Sequence, residues 1–407
     1  MKTNNSNVEV VYNTGLCTQC GTCAALCSHS AIRMEWDGKS GYVLTVDPGL
    51  CNDCGLCYDV CPGHAVDFKE LSNRFIGEGT DNWRIGRYRS CHVGHAVQQD
   101  VRWNAASGGI VSALLVAALR NGAIDGAIVT RMNPESPFEP QTFVATTEEE
   151  IFEARGSKYC PVAANLRLRD VLAAKGRYAL VGLPCHIEGL RKAQTLNRKL
   201  MEKVPICISI FCGLNLSPTG TKMVLRRYGI VETDVQQIRY RGAGWPGKLQ
   251  VELQNGQTKT APYLEYFDNN FMCYEMHRCN LCTDSFGELA DISCGDAWLP
   301  EYKGSDDQGT SVVVVRSERG RDFLESNSPG VLALEPLSVD KAEQSQRLAL
   351  IWKKDWMNAK LALNKLTGKE VPVYENDLPS IRLVDHLGWI RTSLVRFTHR
   401  LWHRIKY

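Results

Sequence analysis

Two runs of four cysteines share one spacing. Cys17, Cys20, Cys23 and Cys27 follow C-x2-C-x2-C-x3-C, and Cys51, Cys54, Cys57 and Cys61 repeat it. Three thiolates at three-residue steps can each bind one iron of a cubane 4Fe-4S cluster. The fourth lies too far along the turn and reaches a second cluster. The spacing therefore assigns Cys17, Cys20, Cys23 and Cys61 to one cluster, and Cys51, Cys54, Cys57 and Cys27 to the other. Zinc knuckles use two cysteines from each C-x2-C and would leave this pattern unexplained. Disulfides are disfavoured, because adjacent C-x2-C thiols in a large chain usually hold metal. Pro62 follows the second run but Ser28 follows the first, which predicts a looser, wetter turn at Cys27.

A further knot of thiols spans Cys273, Cys279, Cys282 and Cys294, with His277 among them. One C-x2-C pair is half a metal site, so other thiols must complete it. Cys185, Cys212, Cys273 and Cys294 are the candidates. A four-thiolate zinc site of Cys273, Cys279, Cys282 and Cys294 is one solution. A third iron–sulfur cluster is preferred, because redox-inert zinc would not serve a chain already committed to electron transfer.

The totals set bounds. With 407 residues, two or three domains are expected. Lys plus Arg number 47 against 45 Asp plus Glu, which argues against a protein built to hold nucleic acid. The polar opening Met-Lys-Thr-Asn-Asn predicts no secretory leader, and no stretch reaches the ~20 apolar residues of a membrane span. With 17 cysteines in the chain, a reducing, cytoplasmic setting is expected.

Elements must position these groups. Residues 1–12 read as a short strand entering the first cysteine run. Ile32–Trp36 and Tyr42–Val46 alternate as a hairpin around the turn at 37–41. Residues 69–106 read as a long linker wrapping a second domain. From Ser107 the chain alternates strand and helix, which predicts an α/β layer. Buried strands at 178–183 and 203–211 end at Cys185 and Cys212, and ligands gather at the carboxyl ends of parallel strands. Ser107, Gly108 and Gly109 open an apolar helix, whose free amides and dipole suit an anion. Antiparallel strands follow between 236 and 263, with Asn255-Gly256 as a hairpin turn, then a strand over 311–316 and a helix over 319–325. In the last residues, Ile390, Leu394, Phe397, Leu401 and Ile405 form one stripe and Arg396, Arg400 and Arg404 another. A basic amphipathic helix over 386–407 would suit a partner or a membrane surface. The expected fold is α+β with α/β: a cluster domain over 1–75, a mixed α/β domain over 76–345, and a helical tail over 346–407.

Taken in order, the motifs resemble a family. The tandem cysteine runs precede Ser107-Gly108-Gly109, Ile124-Asp125-Gly126, Gly156-Ser157-Lys158-Tyr159, Leu183-Pro184-Cys185-His186, Phe211-Cys212-Gly213, Cys279-Asn280-Leu281-Cys282, and Asp291 through Trp298. This looks like the beta subunits of coenzyme F(420) hydrogenases and dehydrogenases, together with 7-hydroxymethyl chlorophyll a reductase-like proteins. The resemblance covers about residues 10–340. It implies a small bacterial-ferredoxin-like βαββαβ domain, then a mixed α/β domain holding FAD and a further 4Fe-4S cluster. It makes Ser107, Gly108, Gly109, Gly156, Ser157, Lys158 and Tyr159 candidate FAD contacts. The favoured ligands of the third cluster are then Cys185, Cys212, Cys279 and Cys282, with Cys273 in reserve. Family members often carry Thr-Pro-Cys-Gln where Leu183-Pro184-Cys185-His186 stands here, and valine where Cys294 stands.

Clusters pass single electrons and a flavin exchanges pairs, so their combination joins one-electron carriers to two-electron chemistry. The expected function is an FAD-dependent iron–sulfur oxidoreductase. Electrons would come from ferredoxin or another redox protein and reach an organic substrate or coenzyme F(420). A non-catalytic electron-transfer subunit is the alternative. His186, His92, His95 and His277 are candidate proton donors, with His186 first because it follows the strand-end cysteine.

Overall fold

A computed structural model describes residues 7–375. The 386–407 segment lies outside the described residues. The first described element is a helix over Glu9–Asn13, where the expected strand would end. Val8 and Val11, three apart, are both buried in the cluster-domain core, and that spacing suits a helix face. The hairpin forms as read: β1 (Ile32–Trp36) pairs antiparallel with β2 (Tyr42–Val46), Ile32 opposite Val46. β3 (Ala65–Asp67) follows the second cysteine run. The βαββαβ expectation is corrected here, because among the described residues no strand precedes the first cysteine run.

The segment expected to be a linker holds a helix, Phe68–Phe75, and then β4 (Ser90–Ala96). The remaining strands are β5 (Gly126–Met132), β6 (Pro140–Ala145), β7 (Tyr178–Gly182) and β8 (Ile206–Ile210), then β9 (Val235–Arg239), β10 (Lys248–Leu253) and β11 (Thr258–Pro262), then β12 (Ile292–Asp296), β13 (Ser311–Val315), β14 (Leu332–Pro336) and β15 (Val373–Glu375). Eight of them form one mixed sheet in the order β14-β4-β13-β12-β8-β7-β5-β6. Four consecutive strands within it, β12, β8, β7 and β5, run parallel. β9, β10 and β11 make a separate antiparallel sheet. β15 lies parallel to β3, with Val373 opposite Ala65. Residues 346–375 are therefore not a detached tail.

Strand alternation divides the core. Ile128, Leu180 and Cys207 face one side, with Ile187 and Leu190 of the helix Pro184–Leu196. Ala127, Val129, Ala179, Ile206 and Ile208 face the other, with Ile110 and Leu114 of the helix Ile110–Arg120. Phe68, Leu71 and Phe75 dock the cluster end of the molecule onto the first layer. Burying each such side chain contributes about 1.5–3 kcal/mol.

Candidate functional site

Cys17, Cys20, Cys23 and Cys61 wall one small cavity. The pairing across the two runs is thus present in the geometry. Both runs fold alike: Gln19 and Asp53 occupy the left-handed region at φ 59° and 53°, and Gly21 and Gly55 at 88° and 75°. These turns aim backbone N–H groups at sulfur. Gln19 N–H donates to Cys17 Sγ, Ala31 N–H to Cys27 Sγ and Gly63 N–H to Cys61 Sγ, each at 3.3 Å. Such bonds favour the thiolate and tune a cluster's potential. A Cβ on Gly63 would stand 2.5 Å from Leu16 O and 3.2 Å from Cys61 Sγ, so this cradle needs glycine.

The two quartets differ in exposure. Cys20, Cys23 and Cys61 are buried, whereas Cys54 is exposed and Cys51, Cys57 and Cys27 are half-buried. Cys27 itself is half-buried, as is Cys17, so the exposed position of its quartet is Cys54. Burial pushes the Cys23 thiol well above its ordinary range, and its quartet partners and Cys57 add to the rise. Cys57 in turn feels Cys54 and Cys51.

Cys185 and Cys212 follow β7 and β8, neighbours in the parallel part of the sheet, and meet Cys279 and Cys282. Burial raises the Cys185 thiol far above its usual range, with Glu188, then Cys20, Cys212 and Cys282, acting the same way. Burial likewise raises Cys279, and Cys212 and Cys282 reinforce it. The set therefore converges, and Cys20 links it to the first quartet. Gly189 permits that approach: a Cβ there would lie 2.3 Å from Thr22 Oγ1. Four thiols brought together in this way suit a cubane. The Thr283 hydroxyl beside Cys282 is buried without a protein partner, which also fits an acceptor such as a cluster sulfur. Among the described residues, no three His, Cys, Asp or Glu groups close on a single ion. The thiolates of a cubane bind different irons and stand farther apart than ligands of one ion. Cys294 packs instead with Ile110 and Leu114, and Cys273 caps the short helix Asn269–Met272.

A cavity of about 1470 Å³ opens beside these thiols, at the carboxyl ends of β5, β7, β8 and β12. It exceeds the roughly 300–1,000 Å³ of most small-ligand sites, leaving space for a flavin and a second molecule. Ser107, Gly109, Gly156, Ser157, Lys158 and Tyr159 line it, as do Cys212 and Cys279. Gly109 begins the helix Ile110–Arg120 at φ 75°, and no side chain caps the first turn. Those amides suit a diphosphate. Both features fit FAD.

Three expected site residues behave differently. Gly108 does not line the cavity: its N–H donates to Ser311 Oγ at 2.9 Å, and a Cβ would meet Gly94 O at 2.7 Å. It serves close packing. Lys158 reaches the cavity wall, but its ammonium donates to the carbonyls of Ala154, Arg155 and Gly156 at the end of the helix Glu148–Glu153. His186 is corrected from proton donor to structural residue. Its Nδ1 accepts from Leu183 N–H at 3.0 Å, and its Nε2 donates to Val162 O at 2.8 Å. Burial lowers it to about 4, so the ring is neutral with both nitrogens engaged. His92, His95 and His277 lie off the cavity lining.

Other residues at the wall, and Arg241 bonded to it from behind, were missed in the sequence. Arg241 donates to Asp296 Oδ1 at 2.9 Å, to Ala106 O, and to Tyr159 Oη at 3.4 Å. Trp245 Nε1 donates to the same Asp296 oxygen at 2.7 Å. Gln346, Trp352, Lys353 and Trp356 close another side. Lys353 donates to Cys282 Sγ at 3.4 Å and to Asp284 O at 2.8 Å. Burial opposes its charge, yet Cys282, Cys212 and Cys279 outweigh that and raise its pKa. The Asp in the 291–298 motif pointed toward Asp296; nothing local singles out Arg241 or Lys353.

Residues 16–92 match a 4Fe-4S dicluster domain. Residues 91–169 match the N-terminal part, and 175–340 the C-terminal part, of the coenzyme F(420) hydrogenase/dehydrogenase beta subunit. The coenzyme F(420) hydrogenase beta subunit of Methanothermobacter thermautotrophicus is 28% identical over 65% of this chain and 94% of its own length. The coenzyme F(420)-dependent sulfite reductase of Methanocaldococcus jannaschii is 26% identical over 84% of this chain and 50% of its own. A chain of the F(420)-reducing nickel–iron hydrogenase complex from Methanosarcina barkeri shares the fold, with TM-score 0.57 and 24% identity over 72% of this chain and 98% of that one.

Proposed function

The chain belongs to the coenzyme F(420) hydrogenase/dehydrogenase beta-subunit family, and from that premise we propose an iron–sulfur flavoprotein oxidoreductase joining one-electron carriers to a two-electron acceptor. That it is an iron–sulfur redox protein follows from the family and its dicluster domain. The observation that carries the rest is one shared wall: Cys212 and Cys279 line the same cavity as Ser107 and Tyr159.

Cys51, Cys54, Cys57 and Cys27 would hold the outer cluster, where a ferredoxin-like protein can reach the exposed Cys54. Cys17, Cys20, Cys23 and Cys61 would hold the inner one, and Cys185, Cys212, Cys279 and Cys282 the third. Ser107, Gly109, Gly156, Ser157 and Tyr159 would hold FAD, with its diphosphate on the first turn of the helix Ile110–Arg120. Bound there, FAD supplies the change from single electrons to pairs. Trp245, Trp298 and Trp352 keep the wall apolar and exclude water. The acceptor is an organic molecule or coenzyme F(420), seated in the remaining volume. A cytoplasmic setting suits the exposed cluster; among the described residues, no helix is long and apolar enough to cross a membrane.

The test is anaerobic purification. About twelve irons and one flavin per chain are expected. About eight irons with one zinc would overturn the third cluster. Reduced ferredoxin or reduced deazaflavin should then drive turnover of a soluble dye. A second reading, an electron-transfer subunit within a larger complex, is favoured by relatives that are themselves hydrogenase subunits. Flavin that is reduced but never turns over without a partner would establish it.

A further inference from the structure

Lys353 sits on a π-helical turn, Ile351–Asp355, beyond the residues 175–340 that match the family's C-terminal part. Such turns recur at functional sites. Its side chain is 3% exposed. Its hydrogen bonds run to one backbone carbonyl, Asp284 O, and one sulfur, Cys282 Sγ. Cys212 and Cys279 are its next electrostatic neighbours. The adjacent Lys354 instead pairs with the Glu288 carboxylate at 2.5 Å. The buried Asp284 carboxylate, which also favours the Lys353 charge, and Arg278 complete the charged surroundings, and Glu188 lies beside them. A buried ammonium costs several kcal/mol unless a negative charge compensates it. A carbonyl, a neutral thiol and an Asp284 carboxylate already held by the Phe286, Gly287 and Glu288 N–H groups would compensate Lys353 only in part. Thiolates committed to a cluster would do so well.

We infer that Lys353 tunes the centre held by Cys185, Cys212, Cys279 and Cys282, raising its reduction potential so that electrons arriving from the Cys20 side are drawn to the cavity. This rests on the third cluster proposed above. Reduction would take one electron from the donor, which is thereby oxidised, and add one negative charge to the centre that the four cysteines hold. No proton needs to move. A fixed ammonium at hydrogen-bond distance stabilises the reduced form more than the oxidised one. Lys353 is a positioning residue: it acts through the cluster and its ligands.

The test is a dithionite titration of the anaerobic full-length protein, followed by electron paramagnetic resonance. In Lys353→Met, the third centre should become at least tenfold harder to reduce, a fall of about 59 mV for one electron. The two N-terminal centres should not move. Lys353→Arg keeps the charge and should stay near wild type, whereas Lys353→Gln keeps a donor without charge and should fall with Met. An unchanged potential in Met and Gln, with the third centre present, overturns the inference. So does loss of the centre in Met together with equal potentials in Arg and Gln. If wild-type protein holds only the two N-terminal clusters, the proposed function fails instead, and the iron count separates the two failures.

Discussion

Gly189 faces Thr22 so closely that a Cβ would stand 2.3 Å from the threonine Oγ1. This contact joins the helix Pro184–Leu196, which carries Cys185, to the helix Thr22–Leu26 of the first cysteine run. Gly to Ala in a helix interior ordinarily stabilises by about 1 kcal/mol. Here the sign should reverse. Gly189→Ala should destabilise the anaerobic protein in urea melts, and Thr22→Ala should restore part of the loss, because it removes the atom that is struck. Stabilisation by Gly189→Ala alone would mean that the two helices do not approach in this way.

A second contact concerns stability alone. Arg191 and Asp291 form an ion pair at 2.9 Å with side chains 1% and 0% exposed. Asp291 also accepts from Cys207 N–H at 2.8 Å and Ser317 Oγ at 2.5 Å, and Arg191 Nε donates to Leu289 O. Asp291→Asn strands a buried guanidinium and should cost about 3–5 kcal/mol. Glu202→Gln, in the exposed pair with Arg198, should leave the melt unmoved. Chemical denaturation of both variants makes the comparison.

These contacts explain what the sequence disclosed. The cysteine runs were legible because spacing alone fixes which thiols share a cubane. β7 and β8 were legible because each is an apolar run ending at a breaker, Pro184 before Cys185 and Gly213 after Cys212. β4 was hidden: Gly94 and His95 interrupt its alternation, and Gly94 is there because a Cβ would strike Ala333 O at 1.9 Å. That constraint belongs to the neighbouring strand β14. Lys353 was hidden for a similar reason. In Trp352-Lys353-Lys354-Asp355 two lysines read as a solvated face, and only the tertiary fold brings Cys282 and Glu288 to them. His186 erred the other way, since its position beside Cys185 suggested chemistry while its hydrogen bonds belong to a helix start.

Glu188 gives a pH prediction. It is buried, and burial, then Asp284, pushes its carboxyl up to about 8 from 4.5, against Arg278 and Lys353. The folded state therefore keeps a proton that the unfolded state has lost between pH 4.5 and 8. The associated stability is complete below 4.5 and is lost as pH rises through about 8. Glu188→Gln is neutral throughout. Its advantage over wild type should be small near pH 5 and grow toward pH 8, by at most about 1.4 kcal/mol per unit. Urea midpoints at both pH values test this; a constant difference would place the Glu188 proton outside that window.

Arg241 ties together three parts of the cavity: the Ala106 carbonyl before Ser107, the Asp296 carboxylate at the end of β12, and the Tyr159 hydroxyl. Its guanidinium also lies over the Tyr263 ring at 4.3 Å. A carboxylate bonded to both Arg241 and Trp245 is oriented from two directions, so the turn that leads into Gly109 inherits a fixed position. Arg241→Met keeps much of the stem but releases all three ties. If the turn holds a flavin diphosphate, the variant should keep its iron and lose flavin on gel filtration, with at least tenfold weaker rebinding of added FAD. The cysteine sites share no hydrogen bond with Arg241, so parallel loss of iron would indicate general unfolding. Full flavin retention would show that these ties do not hold the cofactor's turn in place.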